Sequence, residues 1–133
     1  MNPVDILLKF FLPALLIGKG FTWVAEKGRF YDVSNRKDAI DLYQEFPGKG
    51  KLYLVSTTKD VKEPGLSLLW GLEDLVKEGF SRQVIGGYAG KGGWELDATG
   101  PTRSKKKARM IKKKYKQAEI ISIESDGTVD WNA

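Results

Sequence analysis

Few residues of this chain combine the types and the spacing that catalysis requires. Glu95 and Asp97 lie two positions apart, so on a strand both carboxyl groups point to one face, opposite Trp94 and Leu96. Paired carboxylates act as general acid and general base when one of them is desolvated enough to raise its pKa. No second motif accompanies this pair, which favours a solvated strand face. An enzyme that uses these carboxylates, or a hydrolase with an atypical Ser81 site, is kept as the alternative from another function class.

The glycine-rich stretch GGYAGKGG, residues 86–93, invites comparison with a phosphate-binding loop. Such a loop places a glycine six positions before its lysine and a Ser or Thr directly after the lysine. Ile85 and Gly92 occupy those two positions here. The pattern therefore favours a turn between two strands over a nucleotide site.

The sequence contains no Cys and no His. It therefore excludes a thiolate nucleophile, an imidazole base, a disulfide and the usual zinc ligand sets. We predict no catalytic residue, no metal site and no cofactor.

The stretch 103–116, RSKKKARMIKKKYK, is the strongest sign of a binding surface. The net charge of the whole chain is +5, and these fourteen residues include nine Lys or Arg and no acid, so the rest is net acidic. Ala108, Ile111, Tyr115 and Ala118 recur at helical spacing and predict an amphipathic helix over 103–118. The predicted anion-binding residues are Arg103, Lys105, Lys106, Lys107, Arg109, Lys112, Lys113, Lys114 and Lys116.

Three lysines stand in the first turn of this helix, after a Thr102 or Ser104 cap. The helix dipole already places partial positive charge there, so the arrangement is unfavourable unless solvent screens it or an anion binds. One interpretation is a solvated lysine face. The others are a surface for nucleic acid, for anionic lipid or for an acidic protein.

The elements around this helix predict an α+β fold: a single small domain with a mainly antiparallel sheet packed by two or three helices. A chain of 133 residues has room for one modest core. Asp126–Gly127 is a hairpin turn signal, and Ser34 or Asn35 is a helix cap. We expect strands near 29–33, 51–57, 82–89, 93–98, 119–124 and 128–132, and helices near 36–46, 64–78 and 103–118.

Residues 1–28 are predicted to form a separate apolar helical appendage, and residues 29–133 the α+β domain. The segment suits a membrane-spanning helix poorly, because its longest uncharged run covers only nine residues, 10–18. It also lacks the features of a cleavable signal peptide. It is predicted to attach the domain to a membrane or a larger assembly, or to pack on its own domain or a neighbouring subunit. The predicted anchor residues are Ile6, Leu7, Leu8, Phe10, Phe11, Leu12, Leu15, Leu16, Ile17, Phe21 and Trp23.

Residues 47–124 carry the segments PGKGKLYLVST, FSRQVIGGYAGKGGWELDATGP and AEIISIE, in this order with helices between them. This order resembles the circularly permuted papain-like folds of the NlpC type. The resemblance implies a papain-like fold and places the family's catalytic His near Arg82 or Gln83, beside Ser81. Because the chain has neither His nor Cys, it also implies that the peptidase or amidase chemistry has been lost.

These patterns together favour a non-catalytic structural or adaptor module. Its apolar N-terminus would attach it to a membrane or a larger assembly, such as a viral particle, and its basic helix would face an anionic partner. The alternatives are a degenerate or atypical hydrolase of papain-like fold and a soluble nucleic-acid-binding protein.

Overall fold

The computed structural model of the chain describes residues 20–58, 64–82, 84–90 and 93–133. In chain order they form β1 Gly20–Val24, a 3-10 turn Ala25–Lys27, β2 Arg29–Asp32, α1 Arg36–Glu45, β3 Leu52–Ser56, α2 Pro64–Lys77, β4 Val84–Gly90, β5 Gly93–Thr102, α3 Lys105–Lys114, β6 Ile121–Ile123 and β7 Val129–Asp130. The described residues contain no helix that is long and apolar enough to cross a membrane.

The seven strands form one sheet in the order β2-β1-β4-β5-β3-β6-β7. Each of its six pairings is antiparallel. With three helices packed on this sheet, the structure confirms the predicted α+β class. The predicted strands and helices after residue 28 are all present, with ends that shift by a few residues.

Alternating side chains of β3 divide the core into two clusters. Leu52 and Leu54 point to the face that α1 covers, whereas Tyr53 and Val55 point to the face that α2 and α3 cover. This alternation follows from the two-residue period of a strand, and the unbroken apolar run LYLV fits a strand buried on both faces. The sheet therefore lies between α1 on one side and the pair α2 and α3 on the other.

α1 begins where the sequence predicted a cap. The Asn35 side chain accepts a hydrogen bond of 3.1 Å from the backbone N–H of Asp38, which satisfies one free donor of the first turn. Ala39 and Leu42, one turn apart, are buried against the sheet. The helix ends at Glu45, just before Phe46 and Pro47.

α2 lies close against β5 because one of its buried positions is a glycine. A Cβ on Gly71 would stand 2.8 Å from the Cβ of Ala98, so a larger residue would push the helix away from the sheet. The hydroxyl of Thr57 donates a hydrogen bond of 2.6 Å to the carbonyl of Gly71 and fixes the same contact. Gly79, with a φ of 83°, lies just after the end of the helix, where glycine adopts the left-handed conformation without a Cβ penalty.

The boundary predicted at residue 28 is wrong for the residues just before it. Gly20–Val24 is not part of a helical appendage but a strand that pairs with both β2 and β4. Aromatic and β-branched residues in FTWV favour a strand. The start of this strand could not be recognised in the sequence, because the segment before it is also apolar. The anchor residues from Ile6 to Ile17 lie outside the described residues.

Candidate anion-binding surface

The basic helix α3 is held by a cap and by a narrow apolar stripe. The Ser104 hydroxyl accepts a hydrogen bond of 3.1 Å from the backbone N–H of Lys107, so Ser104 and not Thr102 is the cap. Ala108, Ile111 and Tyr115 are buried against the face of the sheet that α2 also covers. The structure thereby confirms the amphipathic helix and three of the four residues of its predicted stripe.

α3 is shorter than the predicted 103–118. It ends at Lys114, and Lys116 has a left-handed φ of 52°. The N–H of Gln117 bonds to the carbonyl of Lys112 at 2.9 Å and that of Lys116 to the carbonyl of Lys113 at 3.4 Å. These two bonds form a Schellman motif, and Ala118 therefore lies beyond the helix and is exposed.

Arg103 is not free to bind an anion, which corrects its predicted role. Its guanidinium donates to the carbonyls of Tyr43, Phe46 and Gly50, with distances of 2.7 Å to Tyr43 and 2.9 Å to Gly50. It also stacks on the Tyr43 ring, 4.0 Å from its centroid. Because Tyr43 and Phe46 mark the C-terminal end of α1, Arg103 neutralises free carbonyls and the negative end of that helix dipole.

Two lysines of α3 contact residues at the end of α2 and are not surrounded by solvent alone. Lys114 forms an ion pair with Glu78, and the ammonium of Lys107 lies 4.3 Å from the centroid of the Phe80 ring. Glu78 and Phe80 directly follow α2. These lysines therefore join the two helices, and they are less available to an external partner than the prediction assumed.

The contact between α2 and α3 also perturbs two titratable groups. Hydrogen bonds from Lys114, and then from the Tyr115 hydroxyl at 2.8 Å, hold the pKa of the Glu78 carboxyl below its ordinary value. Burial, and then the hydrogen bond to Glu78, raise the pKa of Tyr115. At neutral pH Glu78 is therefore an anion and Tyr115 a neutral donor, which keeps this contact intact.

The remaining six basic residues form what we call the basic face. Within the described residues none of them has an ion-pair partner. At about 100° per residue, the five that lie in the helix fall within an arc of about 120° that does not overlap the buried stripe. The side chains are exposed, except that Lys112 is half-buried. The basic face consists of Lys105, Lys106, Arg109, Lys112, Lys113 and Lys116.

Sequence reasoning missed the exposed apolar residues of α2 and α3. In α2, Leu68, Leu72 and Leu75 are buried, whereas Leu69 and Val76 are exposed. The sequence could have indicated this exposure, because α2 has more apolar residues than one face of a helix holds. The exposed fractions are 41 % for Leu66, 37 % for Leu69, 51 % for Trp70, 59 % for Val76 and 51 % for Met110 on α3.

One predicted anchor residue belongs to the core. Trp23 is 6 % exposed and stacks with Phe30 at 6.1 Å between ring centroids, in the same cluster as Ile85 and Leu72. It cannot reach a membrane or a neighbouring subunit without unfolding the sheet. Phe21 lies in the same strand, where its backbone pairs with Asp32 and Gly87.

Arg82, one of the positions that the NlpC-type resemblance assigns to a catalytic His, has a structural role. Its guanidinium bonds to Glu26 at 3.0 Å and to Glu45 at 2.7 Å, and it lies over the Phe46 ring. It joins the end of α1 to the 3-10 turn. The adjacent Ser81 is exposed, and Arg82 cannot act as its general base because a guanidinium does not lose its proton.

The other carboxylates of interest belong to β5. Glu95 and Asp97 pair with Tyr88 and Gly86 of β4, and Asp97 is half-buried. The predicted strand that carries both residues is present as β5.

A shallow, open pocket of about 480 Å³ lies between the start of α1 and the β6–β7 hairpin. Its lining includes Arg36, Asp126 and Trp131 but no residue of α3. Hydrogen bonds from Thr128 hold the pKa of Asp126 below its ordinary value, so this carboxylate is ionised at neutral pH and is poorly suited to act as a general acid.

Comparison of the chain with protein-family models, with curated proteins and with solved structures found no match. The NlpC-type resemblance therefore stays a prediction.

Proposed function

We propose that this protein is a non-catalytic docking module that binds a phosphate-bearing anionic partner through the basic face of α3. The observation that carries this proposal is the division of the nine basic residues. The fold uses Arg103, Lys107 and Lys114 for its own contacts. The other six remain together on one side of a capped helix, with no acidic partner among the described residues.

The kind of contact follows from the chemistry of the basic face. It consists of flexible lysines and one arginine, with no aromatic side chain on which a base could stack. Such a surface attracts regularly spaced phosphates through charge and counterion release. An acidic protein is a less suitable partner, because the cores of protein interfaces are depleted in lysine.

The absence of Cys and His from the sequence supports the non-catalytic part of the proposal. In this proposal the apolar segment from Ile6 to Ile17 attaches the module to a membrane or a larger assembly. The basic face then binds the phosphate-bearing surface of the partner.

The experiment is a fluorescence-anisotropy titration with labelled duplex DNA, used as a regular phosphate array, at about 50 mM and 200 mM salt. Affinity should fall with salt, with a log–log slope of about −0.9 for each phosphate that is neutralised. The double variant Lys106→Gln, Lys113→Gln should make this slope less steep by about two units.

The matched control is Lys27→Gln, Lys37→Gln, which removes two exposed lysines outside α3. It should leave affinity and slope unchanged. Binding that does not depend on salt, absence of binding at low salt, or equal losses in both double variants would each contradict the proposal.

A further inference from the structure

Five large apolar side chains are exposed on two neighbouring helices. Four are on α2 and the fifth, Met110, is on α3. Scattered exposed leucines need no explanation, but a tryptophan that is half exposed beside several aliphatic residues marks a contact surface. The helix on the opposite face of the sheet, α1, has none of these residues.

α2 and α3 present these residues on one surface. Both pack on the same face of the sheet, and the Lys114–Glu78 ion pair and the Lys107–Phe80 contact hold them together. Their exposed sides therefore point away from the sheet in the same general direction. We call this the outer surface: the basic face of α3 together with Leu66, Leu69, Trp70, Val76 and Met110.

We infer that the outer surface docks on the headgroup region of an anionic lipid bilayer. This inference rests on the proposed function, because it names the source of the phosphates that the basic face binds. A bilayer surface attracts clustered lysines through its negative charge, and it accepts Trp and Leu side chains at the boundary of headgroups and acyl chains. The outer surface supplies both.

The apolar residues decide between lipid and nucleic acid. A nucleic acid would pair with the basic face but would leave Leu66, Leu69 and Val76 in water. A bilayer would bury them, and removing apolar area from water favours binding. The apolar stripe of α3 is buried in the core and cannot insert into the bilayer. The contact between the outer surface and the bilayer is therefore shallow and peripheral.

One residue beside the outer surface opposes the inference. Glu73 is exposed on the same side of α2 as Leu66, Leu69 and Trp70, and anionic lipid would repel it. Its neighbour Asp74 is partly neutralised by Lys77, at 3.9 Å. Glu73→Lys should therefore strengthen binding, a gain that a purely structural role for α2 would not produce.

The test is a sedimentation assay of the full chain with vesicles of phosphatidylcholine, with and without phosphatidylserine. We expect phosphatidylserine to increase the bound fraction above the level that the apolar segment from Ile6 to Ile17 gives with phosphatidylcholine alone. Trp70→Ser should weaken this binding by about tenfold and leave the binding of duplex DNA unchanged. Lys106→Gln, Lys113→Gln should weaken both, and the control Lys27→Gln, Lys37→Gln should weaken neither.

Brominated lipids give a second readout. They should quench part of the tryptophan fluorescence of the bound protein, and Trp70→Phe, which keeps the apolar contact, should bind but lose most of that quenching. Vesicle binding that Trp70→Ser does not weaken, or quenching that survives Trp70→Phe, would overturn the inference. Such results would place the contact on another part of the chain.

The outcomes separate this inference from the proposed function. Salt-dependent binding of DNA without binding of vesicles removes the bilayer as partner and leaves the anion-binding function standing. If neither ligand binds, both are lost.

Discussion

Arg103 and Arg109 are six residues apart in the same basic stretch, yet they have opposite roles. Arg103 lies against carbonyls at the end of α1 and on the Tyr43 ring, whereas Arg109 belongs to the basic face. A planar guanidinium makes several hydrogen bonds in fixed directions, which a lysine ammonium cannot copy. Sequence alone assigned both arginines to one surface, because charge patterning carries no information about contacts between distant segments.

This difference gives a prediction at the level of single residues. Arg103→Lys should lower the free energy of unfolding by about 1–3 kcal/mol, since charge-assisted bonds to buried carbonyls are lost. It should leave the salt slope of DNA binding unchanged. Arg109→Lys should change the unfolding free energy by less than about 0.5 kcal/mol. Urea unfolding of both variants tests this, and an equal effect on stability would contradict the assignment.

At the level of elements, the C-terminus of α3 contains a local conflict. Lys116 occupies the left-handed position of a Schellman motif, where glycine is the usual residue because a Cβ is unfavourable there. Proteins tolerate such a residue when the rest of the motif is well bonded, as the bonds of Lys116 and Gln117 show here. No glycine or proline marks this point in the sequence, which explains why the predicted helix extended to residue 118.

Lys116→Gly should therefore stabilise the protein by about 1 kcal/mol, the cost of a side chain in the left-handed region less the extra chain entropy of glycine. Lys116→Ala is the matched control, because it removes the same charge and keeps the Cβ. Thermal unfolding should show a higher midpoint for the glycine variant alone. If the midpoint rises equally in both variants, the loss of the positive charge and not the loss of the Cβ causes the stabilisation.

Other elements were predictable to different degrees, for physical reasons. The two-residue alternation, the Asp126–Gly127 turn and the Asn35 cap located most strands and α1, since these signals are local. β1 was missed because its apolar residues continue those of the preceding segment. The exposed side of α2 was missed because periodicity does not show which of several apolar residues face the core. In the candidate site, periodicity identified the basic helix, but the roles of Arg103, Lys107 and Lys114 depend on tertiary contacts.

For the whole molecule, the position of β1 limits how much of the N-terminus can be removed. β1 lies between β2 and β4, so it is an interior strand, and it contributes Trp23 and Val24 to the two core clusters. A variant that lacks residues 1–25 should lose cooperative unfolding. A variant that lacks residues 1–18 keeps all seven strands described above and should unfold cooperatively in urea.

Circular dichroism and urea titration of the two shortened variants make this comparison. Cooperative unfolding of the variant without residues 1–25 would show that β1 is dispensable and would restore the predicted boundary at residue 28. Loss of cooperativity in both would mean that residues before Gly20 also support the sheet.

The interior position of β1 also affects how the chain folds during synthesis. β1 and β2 can pair as soon as both have left the ribosome, but the other edge of β1 pairs with β4, which begins only at Val84. At roughly 5 to 20 residues per second, translation leaves that edge open for roughly 3 to 13 seconds. An open edge next to apolar side chains is a site of aggregation, so the yield of folded protein should depend on translation speed between residues 24 and 90.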